Sequence, residues 1–303
     1  EVGWLLKDLS DVPLERPTQE REAEIQQGRA HYSDSLPIEY RPGPEYEELY
    51  RETLARTARR VAHDVGIVAE LIRDERGPRP VLVSLARAGT PIGVLLRRWF
   101  AFTGAPVPDH YALSIIRGRG IDTVALNHLA ATYPPSSVVF VDGWTGKGAI
   151  ARELAAAIAA HNDHQGTDFS PELSVLADPG GSVTRFSSRD DYLVPSAALN
   201  STVSGLVSRT VLNARLIGPA DFHGAKFYSD LRPFDVSQAF LDAVSREFAS
   251  VAADVSRKIK SVAASDRRET WIGERAAQGL ADRLTEGDLN RVKPGIGETT
   301  RVL

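Results

Sequence analysis

The apolar residues change their spacing from one part of the chain to the next. From Pro44 to about Glu75, Tyr46, Leu49, Leu54, Val61, Val65, Val68 and Ile72 recur at helical intervals with Arg and Glu between them. That spacing predicts a long amphipathic helix, ended by Arg76-Gly77-Pro78-Arg79-Pro80. The next segments alternate. Val81 to Leu85 is a short apolar run that suits a strand covered on both faces. A small loop leads to Pro91, a favourable first helical residue, and Ile92 to Phe100 continues as helix. Strands are then predicted at Tyr111–Ile116, Val138–Val141 and Leu173–Ala177, with helices at Asp122–Tyr133 and Ala149–Ala160. The alternation predicts an α/β fold, a parallel sheet with helices on both faces.

The flanking regions read differently. Residues 1–45 hold Pro13, Pro17, Pro37, Pro42 and Pro44 and are expected to form an irregular N-terminal arm. Residues 182–234 break the alternation and are rich in Ser, Thr and Asn, so they read as a polar insertion in a core spanning 46–235. Asp235 with Gln238 fits a reciprocal helix cap. Phe240, Val244, Phe248, Val251, Val255 and Ile259 follow as one helical stripe, and a second helix is predicted from Arg268 to Leu284. Residues 236–303 are thus a C-terminal helical extension, whose end at Leu303 reads as truncated before a further domain.

Composition narrows the classes. The 303 residues are enough for one elaborated domain or two. With 36 Lys+Arg against 40 Asp+Glu, the net charge of −4 argues against a dominantly electrostatic nucleic-acid binder. No apolar run approaches the roughly 18 residues of a membrane span, and the first residues lack the features of a signal peptide, so a cytoplasmic protein with no membrane partner is expected. Cys and Met are both absent, which removes disulfides, Cys metal sites and a thiol nucleophile.

In an open parallel sheet, ligands sit beyond the carboxyl ends of the strands. The sharpest loop there is Asp142-Gly143-Trp144-Thr145-Gly146-Lys147-Gly148, between an apolar strand and a helix. Glycines allow close backbone approach, and a helix start offers free N–H groups to phosphate. Lys147 adds a cation, Thr145 a hydroxyl, and Asp142 an acceptor for sugar hydroxyls. An ordinary small-residue turn is the competing reading. The nucleotide P-loop fails, because only Trp144 and Thr145 separate Gly143 from Gly146-Lys147, and Gly148 follows where Ser or Thr is needed. A second loop, Ala86-Arg87-Ala88-Gly89, has the same placement and suits a pyrophosphate. A third, Arg117-Gly118-Arg119-Gly120, suits a mobile anion-binding loop. Asp178, Ser204 and Arg209 are candidate substrate contacts, and His223 with Lys226 is a candidate acid–base pair. Each has a plain turn or a structural side chain as its alternative. The seven His show no metal-ligand spacing.

These stretches resemble type I phosphoribosyltransferases, whose signature is an apolar strand, a pair of acids and a Thr-Gly-rich loop opening a helix. Val138 to Val141, Asp142 and Thr145 to Gly148 match it. Two departures are a Gly at 143 in place of the second acid and a shorter connection to Thr145. A closer resemblance is to a related bacterial family found beside tellurite-resistance (Ter) genes. It rests on Leu82 to Pro91, Ser114 to Asp122 and Phe140 to Gly148, with Ser204 to Thr210 and Phe222 to Lys226 also similar. In that family a Pelota-like RNA-binding domain often follows. The family also carries a cysteine-protease label, StiP. Without a Cys, a thiol protease is not expected here.

The resemblance implies a phosphoribosyltransferase-like enzyme acting on phosphoribosyl pyrophosphate or a related phosphorylated ribose, with Mg²⁺. Gly143, Thr145, Gly146, Lys147 and Gly148 would bind the 5′-phosphate, and Asp142 would hold the ribose. Ala86, Arg87, Ala88 and Gly89 would bind pyrophosphate, Arg117 and Arg119 would stabilise its charge, and His223 or Lys226 would meet the acceptor. RNA through a further C-terminal domain, and a homodimer, are the other partners implied. The alternative is a non-catalytic nucleotide-binding module of a stress-response system, favoured by Gly143.

Overall fold

The structure is a computed structural model that describes residues 1–39, 41–285, 287, 289, 292 and 295. Apart from Gly295, the tail Lys293–Leu303, read above as truncated, lies outside the described residues. The N-terminal residues form short strands β1 (Gly3–Trp4), β2 (Lys7–Asp8) and β3 (Glu15–Arg16), helix α1 (Thr18–Gln26) and β4 (Leu36–Pro37). The long helix α2 (Pro44–Arg76) follows, then β5 (Val81–Ala86), α3 (Thr90–Phe102), β6 (His110–Ile116), β7 (Gly120–Ile121) and α4 (Thr123–Thr132). Next come β8 (Val138–Val141), α5 (Ala149–Gln165), β9 (Leu173–Ala177), β10 (Arg185–Ser188) and β11 (Gly224–Ala225). Helices α6 (Ser237–Arg246), α7 (Phe248–Ala263) and α8 (Ile272–Leu284) close the described chain.

The main sheet has the order β1-β6-β5-β8-β9-β10, with every neighbouring pair parallel; β7 folds back antiparallel on β6. Helices α3, α4 and α5 provide the crossovers from β5 through β9, whereas β9 and β10 are joined by residues 178–184 without a helix. One face packs against α2, α3, α6 and α7 through residues such as Val61, Val65, Ile72, Leu95, Val139, Val141, Phe240 and Val251. The other packs against α4 and α5 through Val83, Leu126, Phe140, Leu154, Ile158 and Val175. With both faces covered, the apolar runs of β5, β8 and β9 are explained. The carboxyl ends of β5, β6, β8 and β9 therefore share one edge of the sheet.

Several elements depart from their sequence reading, and the arm over residues 1–45, expected to be irregular, holds β1 to β4 and α1. Val236, not Asp235, precedes α6; no side chain caps the helix, and the Asp235 carboxylate accepts the Ser237 N–H at 2.9 Å. The single expected stripe is divided between α6 and α7 at Glu247. Helix α8 starts at Ile272 because Trp271 before it has a left-handed φ of 52°, and the Thr270 and Trp271 N–H groups donate to the Gly181 carbonyl, each at 2.8 Å. Residues 185–188, inside the polar stretch, form the edge strand. Arg185 there is buried and donates to Ser174 Oγ at 2.9 Å, Glu75 at 3.0 Å and Glu172 at 2.8 Å. Among the described residues no helix is long and apolar enough to cross a membrane.

Candidate functional site

The glycine-rich loop after β8 is built and covered by the chain itself. Asp142 is half-buried, and its carboxylate accepts the Gly143 N–H at 2.7 Å. Thr145 is buried, with its hydroxyl 3.1 Å from that of Ser182. Gly146 lies against Gly180 and Gly273, and Gly148 adopts a left-handed φ of 72° at the entry to α5. Lys147 is buried, and its Nζ donates to the Leu289 and Val292 carbonyls, both at 2.9 Å. The loop's cation is thus engaged by the chain's C-terminal segment.

After β5, Arg87 donates to a carboxylate oxygen of Glu39 at 2.9 Å and to the Val207 carbonyl at 3.3 Å. Burial pulls the guanidinium below its ordinary value, and the Glu39 charge opposes that. Ala86 and Ala88 are half-buried and Gly89 is buried. Asp178, at the end of β9, is fully buried and ties its own loop together. It accepts from the N–H groups of Ser182 and Val183, each at 3.0 Å, and pairs with Arg189. Ser204 is buried and donates to the Asn200 carbonyl. Lys226 donates to the Val12 carbonyl and to Glu15, both at 2.8 Å, so it faces the N-terminal arm. It is not the Lys226 ammonium but Ser114 that meets His223.

That meeting sets a hydroxyl against an imidazole, both buried, at the carboxyl end of β6. Ser114 lies near the end of β6, buried, with its hydroxyl 2.8 Å from Nδ1 of His223. Asp122 accepts the main-chain N–H of His223 at 2.6 Å through one oxygen and caps α4 through the other, at 3.0 Å from the Ala125 N. Asp122 therefore fixes where the imidazole stands without touching its ring nitrogens. Burial holds the His223 pKa below the usual imidazole value, with Asp122 raising it and Arg119 lowering it. A neutral imidazole against a hydroxyl can take its proton. The hydroxyl and the fixing carboxylate had weak sequence signals: Ser114 is a polar residue in an apolar strand, and Asp122 reads as a helix cap.

Arg117 and Arg119 lie on the turn between β6 and β7. Arg119 donates to Asp34 at 2.8 Å and to the Leu212 carbonyl at 2.6 Å. Arg117 and Arg209 are exposed. No three His, Asp or Glu side chains converge as a metal site among the described residues.

Fold and site together define an α/β protein with a serine–histidine pair and an arginine-lined rim at the open end of a mainly parallel sheet. The model of the family described as "Tellurite-like stress resistance cysteine protease StiP" matches residues 1–245, and the chain belongs to that family. A curated relative named "Cysteine protease StiP", from Acinetobacter baylyi, is 34% identical over 313 residues, which covers 100% of this chain and 79% of the relative. The expected link to tellurite resistance and stress response agrees with the family's name. The expected phosphoribosyltransferase function, and the exclusion of the cysteine-protease class, are overturned by both names. The transferase reading leaned on an open phosphate loop, whereas Lys147 is covered and hydrogen-bonded. These 303 residues hold no cysteine, so any nucleophile among them is not a thiol.

Proposed function

We propose that this chain serves tellurite-like stress resistance as a peptide-bond hydrolase in which a hydroxyl does the work of the thiol. The observation that carries the reading is the 2.8 Å contact between Ser114 Oγ and His223 Nδ1, beside Asp122. Ser114 Oγ attacks the peptide carbonyl carbon while His223 Nδ1 takes its proton. The C–N bond breaks, the same proton passes to the leaving amine, and water then hydrolyses the acyl ester with His223 as base. Burial favours the unprotonated form of His223, the form that can accept a proton, and at the same time makes it a weaker base. Asp122 is a positioning residue.

The finer fold reading, a phosphoribosyltransferase-like framework, belongs to this proposal. The glycine loop after β8 and the small-residue turn after β5 support it, with the framework serving hydrolysis instead of pentosyl transfer. A second reading, polypeptide binding without cleavage, is favoured by the complete burial of Ser114.

The test is hydrolysis of an unfolded protein substrate together with labelling by a fluorophosphonate probe. Hydrolysis and labelling by the wild type, both lost in Ser114→Ala and His223→Ala, are expected. Hydrolysis that survives Ser114→Ala sinks the nucleophile assignment. A wild type that neither cleaves nor labels favours the binding reading.

A further inference from the structure

We propose that the rim beside Ser114 and His223 recognises an acidic stretch of polypeptide, through Arg117 and Arg209. This rests on the reading of that pair as the place where polypeptide is met. Two lines of contacts bring the cations together. On one side Arg21, buried, donates to the Tyr32 carbonyl at 3.0 Å, and the Tyr32 hydroxyl accepts the Arg117 N–H at 2.7 Å. On the other side Arg87 reaches the Val207 carbonyl at 3.3 Å, two residues before Arg209. The two lines meet at Leu212, three residues after Arg209, whose N–H donates to the Ser33 carbonyl at 3.0 Å and whose carbonyl accepts from Arg119, on the same turn as Arg117, at 2.6 Å.

The charges around this rim do not cancel. Arg87 is matched by Glu39, and Arg119 by Asp34. Lys226 is matched by Glu15. The Glu153 carboxylate accepts the N–H groups of Gly118 and Gly120, beneath the turn that carries Arg117. Arg21 is held by neutral oxygens of Tyr32 and Ser35. Arg117 and Arg209 have no carboxylate within ion-pair distance among the described residues. On a chain of net charge −4 this is a local excess of cation, and planar guanidinium groups suit carboxylates held two-pronged. Glu39, Asp34 and Glu153 are held by Arg87, Arg119 and the Gly118 and Gly120 N–H groups. They would repel the dense charge of a nucleic-acid backbone, yet leave room for single carboxylates spaced along a peptide. Arg117 follows Ser114 by three positions, about 10 Å along an extended strand, so a glutamate or aspartate bound there would sit a few peptide residues from the bond presented to the serine.

The experiment measures binding and cleavage separately. A labelled glutamate-containing peptide and its glutamine counterpart are titrated by fluorescence anisotropy against the wild type, Ser114→Ala and the double variant Arg117→Gln/Arg209→Gln. The acidic peptide is expected to bind the wild type and Ser114→Ala about tenfold tighter than its counterpart at low salt. That preference should shrink as salt rises and vanish in the double variant, whose thermal unfolding is followed to show that it folds. Equal binding of the two peptides, binding of neither, or displacement of the acidic peptide by an oligonucleotide at lower concentration overturns the proposal. Cleavage without acidic preference overturns it and leaves the hydrolase reading standing. Acidic preference without cleavage supports it and removes the hydrolase reading.

Discussion

Nε2 of His110 lies 2.8 Å from the Ser84 hydroxyl, while its Nδ1 donates to the Glu1 carbonyl at 3.1 Å. This is the second serine–histidine pair of the sheet, and both ring nitrogens are occupied in the interior. Burial pushes the His110 pKa down to about 4. In the unfolded chain the ring titrates near its ordinary value of about 6.5. Between those values the unfolded state binds a proton that the folded state refuses. The stability contribution is therefore complete above pH of about 6.5 and is lost as pH falls toward 4. Its size is on the order of 3 kcal/mol. Urea unfolding across that window should show wild-type stability falling more steeply than that of His110→Gln. Parallel profiles would rule out His110 as a source of the acid sensitivity.

Gly180 sits where the loop after β9 crosses the loop after β8. A Cβ at this position would overlap the carbonyl of Gly146, a main-chain atom that cannot swing aside. Gly180→Ala should cost about 1–3 kcal/mol or more, the range for forced overpacking. The same change at Gly279, whose Cβ would meet nothing within 4 Å and which lies inside α8, should stabilise slightly, since Ala is the better helix former. Thermal unfolding of the two variants checks the contrast. Equal melting temperatures would show that the two loops separate readily.

The buried Asp178 carboxylate joins two N–H groups of its own loop to the Arg189 guanidinium. Asp178→Ala leaves those buried amides without an acceptor, while the part-exposed Arg189 keeps the Val183 and Arg268 carbonyls, so the loss is expected at about 1–3 kcal/mol. Asp178→Asn keeps one acceptor oxygen and should lose less. Equilibrium denaturation of both variants reads the difference. Similar losses would assign the whole effect to charge.

The sheet was legible in the sequence because burial on both faces leaves continuous apolar runs. Val138–Val141 and Leu173–Ala177 appear where they were expected, and α2 differs by one residue at its end. Strand β10 was hidden, since Arg185 fills a buried position that composition marks as surface. Its burial depends on Glu75 and Glu172, which lie 110 and 13 residues away. The loop after β8 was recognised as unusual, but its cover was not. Nothing local to Lys147 announces carbonyls supplied from 142 and 145 residues downstream. Likewise, Ser114 and His223 are 109 residues apart, and only the fold places them together. Long-range pairings of this kind leave no periodic trace, whereas strands and helices do.

The Lys147 ammonium provides the last test. A buried cation needs acceptors, and the Leu289 and Val292 carbonyls provide two of them. Helix α8 turns Ala277 and Ala281 inward and leaves Ile272, Leu280 and Leu284 exposed, so its own packing holds it modestly. Lys147→Met keeps the length of the side chain and removes its donors. It should lower overall stability by about 1.5–3 kcal/mol, the range for a hydrogen bond to a charged group. It should also speed amide exchange in α8 more than in α5, and sensitise the chain to proteolysis after Leu284. If exchange in α8 is unchanged, contacts such as Arg152 with Glu274 and Gly273 N–H with the Gly180 carbonyl hold the C-terminal segment without the lysine.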